Sequence, residues 1–349
     1  MILKVVSCIT NQYLKHLIYH KKINKMKLIS IVIPTYNCGE FLPETIKSLQ
    51  CQTYSNWEAI CVDDGSTDNT LEIARKLQMK DERVRVYARE ELPKGGSHCR
   101  NIGLQHAKGD YVIFLDGDDI LVSTCLEDRL KKIENTKFDF AVFSMGTFRD
   151  GVVGKVITDS KIKDHLAAFA SNHAVWQVTS PIYKKSFLDE LGGFDINFQR
   201  MQDLELGLRA IAKSKNNYAS YIDDNNPDCF YRLSGGVVTS KKYVLGLQQF
   251  DKFVCLLHRL EKEGVFDDKR KLSHIYLCLA LSSYIIYLRK GVYDNISMDE
   301  VYKTYSITEK MQVLEKIIFH TVFLFSFCKN IQFKYVRVLR RLLMTIYFN

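Results

Sequence analysis

Over its first half the chain alternates short β-branched apolar runs with segments of helical period, and two of those runs end in paired aspartates. Leu28 to Pro34 (LISIVIP), Trp57 to Val62 (WEAICV) and Tyr111 to Leu115 (YVIFL) read as strands buried on both faces. Arg83 to Ala88 and Phe138 to Ser144 read as further strands. Between them, Glu40 to Gln52, Thr67 to Lys80, Ser97 to Ala107 and Thr124 to Ile133 carry apolar residues at helical spacing, with Thr67 or Asp68 as the expected N-cap of the second helix. This pattern predicts an α/β fold, a mostly parallel sheet with helices on both faces and right-handed crossovers. Such sheets bind ligands outside the carboxyl ends of their strands. The residues after Val62 and Leu115 should therefore face one cleft.

Beyond Gly151 the alternation weakens. Lys184 to Leu191 and Gln202 to Ala212 read as helices, and from about Tyr243 onward the chain reads as mostly helical. The expected organisation is an extension over residues 1–27, a catalytic unit over 28–240 and a helical C-terminal region over 241–349. The fold signal begins just after Met26, so Met26 is the expected true start.

Composition narrows the class. The 349 residues are 46% hydrophobic and 26% charged, which excludes a disordered chain. The net charge of +9 sits at the two ends, which together carry +11, so the stretch between them is slightly acidic. That argues against a nucleic-acid groove through the core. No two of the ten cysteines form a C-x-x-C pair, so zinc-ribbon and thioredoxin readings lose support and reduced thiols are expected. The longest apolar runs, Tyr276 to Leu288 and Ile317 to Cys328, are too short to span a bilayer. The expected location is cytoplasmic.

Four motifs carry chemistry. Asp116-Gly117-Asp118-Asp119 follows a buried strand and gathers three carboxylates, an arrangement that a divalent cation such as Mg²⁺ or Mn²⁺ would relieve. Gly117 is expected there for a tight turn. A solvated acidic turn is the alternative. Val62 to Asp68 (VDDGSTD) offers a carboxylate to a base or ribose, or simply a capped strand-to-helix loop. In Gly95 to Asn101 (GGSHCRN), Arg100 near a helix start offers a forked donor to a phosphate; the alternative is a surface arginine. In Met201 to Leu206 (MQDLEL), Asp203 and Glu205 are two apart and point to different faces of a helix. Asp203, nearer the loop, is the better candidate for a general base.

In this order these segments resemble the inverting family 2 glycosyltransferases with the GT-A, Rossmann-like fold. The matching pieces are ISIVIPTYN (Ile29 to Asn37), VDDGSTDNT (Val62 to Thr70), GGSHCRNIGLQHAKGDYVIFLDGDD (Gly95 to Asp119), and GGFD followed by QDLELGLRA (Gly192 to Ala210). The resemblance covers about residues 28 to 235. It implies that Thr35 and Tyr36 line the nucleotide pocket, that Asp64 meets the base, commonly uracil, and that Arg100 approaches the diphosphate. It implies that Asp116 and Asp118 are the two acids of a D-x-D motif, that Asp118 or Asp119 binds Mn²⁺ or Mg²⁺ while a neighbour such as Asp116 contacts the donor, and that Asp203 is the catalytic base. The implied reaction moves a sugar from a nucleotide-sugar donor to a hydroxyl of a glycan or lipid-linked acceptor.

Two departures stand out. Relatives carry a His in a Tyr-Arg-x-His-like segment, where this chain reads Tyr231-Arg232-Leu233-Ser234-Gly235-Gly236. Gln202 stands where an acid often precedes the base. A sugar nucleotidylyltransferase is the competing enzyme reading; it would show a Gly-rich, Arg-containing loop after the first strand, where this chain has Pro34 to Gly39 (PTYNCG). A degenerate nucleotide- or glycan-binding module is the non-enzymatic alternative. Lys329 to Phe348 is basic and amphipathic, suited either to an anionic membrane surface or to packing its apolar stripe on the catalytic unit.

Overall fold

The computed structural model describes residues 26–233, 240–288, 310–313, 315–319 and 333–348. The extension over residues 1–25, the segment Ser234 to Gly236 and most of the apolar run ending at Cys328 lie outside them.

Seven strands form the main sheet. β1 (Ile29–Thr35) lies between β2 (Trp57–Asp63) and β4 (Tyr111–Phe114), parallel to both, and β3 (Val84–Ala88) extends one edge. β9 (Pro181–Lys184) then runs antiparallel between β4 and β6 (Phe140–Phe143), and β10 (Tyr218–Tyr221) closes the far edge parallel to β6. The continuous apolar character of β1, β2 and β4 has a direct cause, because alternate residues enter different cores. Ile29, Ile31 and Ile33 face one layer and Val32 the other.

The first layer holds α1 (Leu42–Gln50), α2 (Thr70–Lys80) and α4 (Cys125–Ile133). The second holds α3 (Gly96–His106), α5 (His165–Ala170), α6 (Lys185–Leu191) and α7 (Gln202–Ser214). The C-terminal helices α8 (Ser240–Lys262), α9 (Lys269–Leu288) and α10 (Phe333–Phe348) join this second layer, and their buried residues Phe253, Tyr276 and Met344 belong to the same apolar cluster as Val32. The change of element type near residue 240 therefore interrupts no core.

The N-cap of α2 differs from expectation. The helix starts at Thr70, and the cap residue Asn69 makes no side-chain cap bond. Asp68 acts one residue earlier, its Oδ1 accepting from the Thr70 backbone N–H at 3.0 Å. The strands beyond Gly151 exceed the sequence reading. A second sheet, in the order β5 (Ile120–Leu121), β11 (Cys229–Arg232), β7 (Met145–Arg149), β8 (Val152–Val156), packs beside the acidic loop. Its β11 pairs with β5 immediately after Asp119, which brings a distant segment to the site.

Candidate active site

The strand ends converge as the topology requires. Thr35 at the end of β1 is in register with Asp63 at the end of β2, and the Asp64 N–H donates to the Thr35 carbonyl at 2.9 Å. The two adjacent aspartates have separate tasks. Asp63 Oδ2 accepts from the N–H groups of Gly65 (3.0 Å) and Ser66 (2.9 Å), closing the turn. Asp64 Oδ1 accepts from Arg89 Nε at 2.6 Å and from the Gly95 N–H at 3.1 Å. These bonds fix Asp64 in orientation beside Thr35, whose buried Oγ1 has no hydrogen-bond partner. Tyr36 is 48% exposed, with Lys94 Nζ lying 3.7 Å from its ring centroid. Its open ring is the kind of face on which a base stacks.

The acidic loop follows β4. Asp116 is partly exposed and accepts from Arg100. Gly117 is required for space rather than for an unusual φ. A Cβ there would sit 2.8 Å from Cys38 Sγ and 3.3 Å from the Pro34 carbonyl. Burial, and then the neighbouring Asp116 charge, push the Asp118 carboxyl above its ordinary range. Asp119 is buried. Its Oδ1 accepts from the Arg232 N–H at 3.0 Å, and its Oδ2 has no hydrogen-bond partner. Burial and then the charges of Asp116 and Asp118 hold its carboxyl well above the usual range.

The oxygen donors, the mutual repulsion and the orphaned Asp119 oxygen suit a hard divalent cation. No group of three or more His, Cys, Asp or Glu side chains is preassembled around one point among the described residues. A cation here would therefore complete its shell with donor phosphates and water, as Mg²⁺ commonly does.

Arg232 is a site residue that the sequence motifs do not single out. Its guanidinium sits between the rings of Phe41 (4.7 Å) and Phe148 (4.2 Å), donates from Nε to the Asp118 carbonyl at 2.8 Å, and pairs with Glu44. Bonds to both the Asp118 carbonyl and the Asp119 carboxylate brace the acidic loop from β11.

Asp203 is the second residue of α7, just after Met201, which holds φ at 61°. Asp203 Oδ1 accepts from the Val178 N–H at 2.8 Å. Burial pushes its carboxyl up to about 6; the Asp116 charge adds to this, while Arg100 and the Val178 N–H oppose it. Glu205 points elsewhere, as the spacing predicts. It is buried against Arg209 and plays a structural part.

Arg100 connects the halves of the site. Only 5% exposed, it is no surface arginine, and it donates to Asp116 with one arm and to Gln202 with the other. Asp116, Arg100, Gln202 and Asp203 line one cavity of about 430 Å³, together with Asn172 and Arg200. Thr35, Tyr36, Asp64, Asp118 and Asp119 lie outside the lining of that cavity, along the adjacent strand ends and acidic loop.

The family profile described as "Glycosyl transferase family 2" matches residues 30–190, which contain Thr35, Tyr36, Asp64, Arg100, Asp116, Asp118 and Asp119 but not Arg200, Gln202, Asp203 or Arg232. Residues 30–190 therefore carry a glycosyl transferase family 2 domain. This glycosyltransferase is 41% identical over 117 residues to "Glycosyltransferase GlyG" of Streptococcus pneumoniae, a match spanning 33% of the chain and 38% of that relative. It is 28% identical over 246 residues to "UDP-Glc:alpha-D-GlcNAc-diphosphoundecaprenol beta-1,3-glucosyltransferase WfaP" of Escherichia coli, covering 67% of the chain and 92% of that protein. The glycosyltransferase also superposes on residues 1–349 of TarS from S. aureus with a TM-score of 0.58 at 20% identity, covering 79% and 77% of the two chains. That likeness shows the shared GT-A fold.

Proposed function

We propose that this glycosyltransferase moves a sugar from a UDP-sugar to a hydroxyl of a lipid-linked glycan, with inversion at the anomeric carbon. The observation that carries the reading is the shared cavity. Asp203, with a carboxyl at about 6, faces the same space as Asp116 and Arg100. A base poised near working pH on one side, and cationic and acidic groups for a diphosphate on the other, suit in-line displacement.

Asp203 takes the proton from the acceptor hydroxyl as that oxygen attacks the anomeric carbon. The Val178 N–H orients its carboxylate for this step. Arg100, held by Asp116 and Gln202, supplies positive charge where the leaving diphosphate becomes more negative. Asp118 and Asp119, with Asp116 toward the donor, would hold Mn²⁺ or Mg²⁺, which neutralises phosphate charge. Thr35, Tyr36 and Asp64 receive the nucleoside.

The donor and acceptor classes draw support from relatives. The name of WfaP specifies UDP-glucose and a diphosphoundecaprenol-linked sugar, and a TarS structure is titled as a complex with UDP-GlcNAc. No helix among the described residues is long and apolar enough to cross a membrane. A lipid-linked acceptor would therefore be met at a membrane surface, through the basic C-terminal helix.

Calorimetric titration of UDP, with GDP for comparison, tests the donor assignment. UDP should bind more tightly than GDP and gain affinity with Mn²⁺. Preference for GDP would overturn the UDP assignment, and indifference to metal would remove the role given to Asp118 and Asp119.

A further inference from the structure

Helix α10 buries one side and exposes the opposite one when its residues are placed at about 100° intervals. Val336, Leu343, Met344 and Phe348 are buried, with the helix packed on α9 and α5. The Phe348 carbonyl accepts from the N–H groups of Lys163 (3.1 Å) and Asp164 (2.8 Å), which pins its end. Arg340 falls within that buried side, and Arg337 and Arg341 lie at its exposed edge. Beyond them Val338, Leu342 and Ile346 form an apolar stripe at four-residue spacing, exposed by 49, 54 and 70%.

The three arginines line a cavity of about 510 Å³ between α10 and the segment from Lys155 to Ile162. Lys155, Lys161, Arg337, Arg340 and Arg341 bring five cations to it, against the acids Asp159 and Asp224. Asp159 is already engaged by His173 Nε2 at 3.1 Å. Arg340 donates to the Ser171 and Asn172 carbonyls, each at 3.0 Å. Its Nε is buried without a hydrogen-bond partner, and no carboxylate pairs with it among the described residues. Burial, reinforced by Arg337, pulls its guanidinium below the ordinary range, the mark of a cation short of counter-charge. Such a group is stabilised by an anion entering the cavity.

We propose that this cavity binds a phosphate group borne by a membrane lipid, with Arg337, Arg340, Arg341 and Lys161 as its cation shell. The exposed stripe beside the arginines decides the source. A soluble phosphate would gain nothing from Val338, Leu342 and Ile346, whereas a headgroup held by the arginines lets those side chains enter the acyl boundary. The position also fits. Asn172 lines the catalytic cavity and His173 lines the basic one, so consecutive residues of one loop wall both. The inference deepens the proposed lipid-linked acceptor and rests on that reading for its purpose, although not for the binding itself.

The test is co-sedimentation of the full chain with vesicles of phosphatidylcholine alone or mixed with phosphatidylglycerol. Wild type should bind the anionic vesicles at least about tenfold more tightly than the neutral ones. The Arg337→Gln/Arg341→Gln variant, altered only at exposed side chains, should lose about thirtyfold at roughly 1 kcal/mol per basic residue. A control with Lys47→Gln and Lys80→Gln, on helices of the opposite layer, should bind as wild type does. Inorganic phosphate, added with UDP saturating the catalytic cleft, should raise the unfolding temperature of wild type and not of the arginine variant. Equal binding to neutral and anionic vesicles, or unchanged binding by the arginine variant, would overturn the proposal. Phosphate binding without vesicle binding would assign the cavity to a soluble ligand and overturn the lipid source. A chain that binds anionic vesicles but not UDP would keep this site and overturn the UDP-donor assignment instead.

Discussion

At the scale of single residues, the site depends on how few groups hold its charges apart. Asp203 is held near 6 by burial, with Asp116 raising it and Arg100 and the Val178 N–H lowering it. A base must be ionised, so activity is present above that value and is lost as pH falls through it. The acidic limb of kcat/KM should fall about tenfold per pH unit below about 6. A profile flat down to about pH 5 would remove Asp203 from the base role. Arg100 spans Asp116 and Gln202 with two different nitrogens. Lysine cannot make both bonds from one point charge. Arg100→Lys should therefore weaken UDP binding by about tenfold or more, at a cost of about 1.5–3 kcal/mol, read by titration. Asp203, Asp116 and Arg100 were legible in the sequence because each stands in a motif at a strand or helix end. The bracing by Arg232 was not, because β11 lies over 110 positions from Asp119 and only the second sheet brings them together.

At the scale of elements, two close approaches matter most. α3 packs so tightly on β1 that a Cβ at Gly103 would sit 2.3 Å from Val32 Cγ1, and Val32 is fully buried. Gly103→Ala should destabilise the protein by about 1–3 kcal/mol, seen as a lower denaturant midpoint. On the other side of the sheet, Arg129 of α4 is fully buried and donates twice to Asp228 at 2.7 Å, tying α4 to the start of β11. Asp228→Ala leaves that guanidinium uncompensated and should cost about 3–5 kcal/mol, again read in denaturant. Strands β1, β2 and β4 were legible because burial on both faces demands an unbroken apolar run. β9, β10 and β11 were not, since each has four residues and mixes in Pro181, Ser220 or Arg232. Short strands of that composition are recognised by their neighbours rather than by their own sequence.

At the scale of the whole molecule, the C-terminal helices complete the second layer. Val336, Leu343, Met344 and Phe348 of α10 are buried, and at about 1.5–3 kcal/mol each they account for up to about 6–12 kcal/mol. That is the size of a typical net stability. Truncation before Phe333 should give insoluble or markedly less stable protein, measured as soluble yield and thermal midpoint. The sequence left α10 open between membrane and core, and the structure shows why both had support. One arc of the helix is buried while another exposes Val338, Leu342 and Ile346. An apolar stripe read from a single helix does not say which of two surfaces it meets. The central claim concerns the joined cavity, and Asp203→Asn tests it most directly. Donor affinity and sugar transfer are measured on the same preparation. UDP-sugar binding should stay within about twofold of the parent, and transfer should fall by about 10²–10⁴-fold. Transfer at the parent rate would contradict that claim.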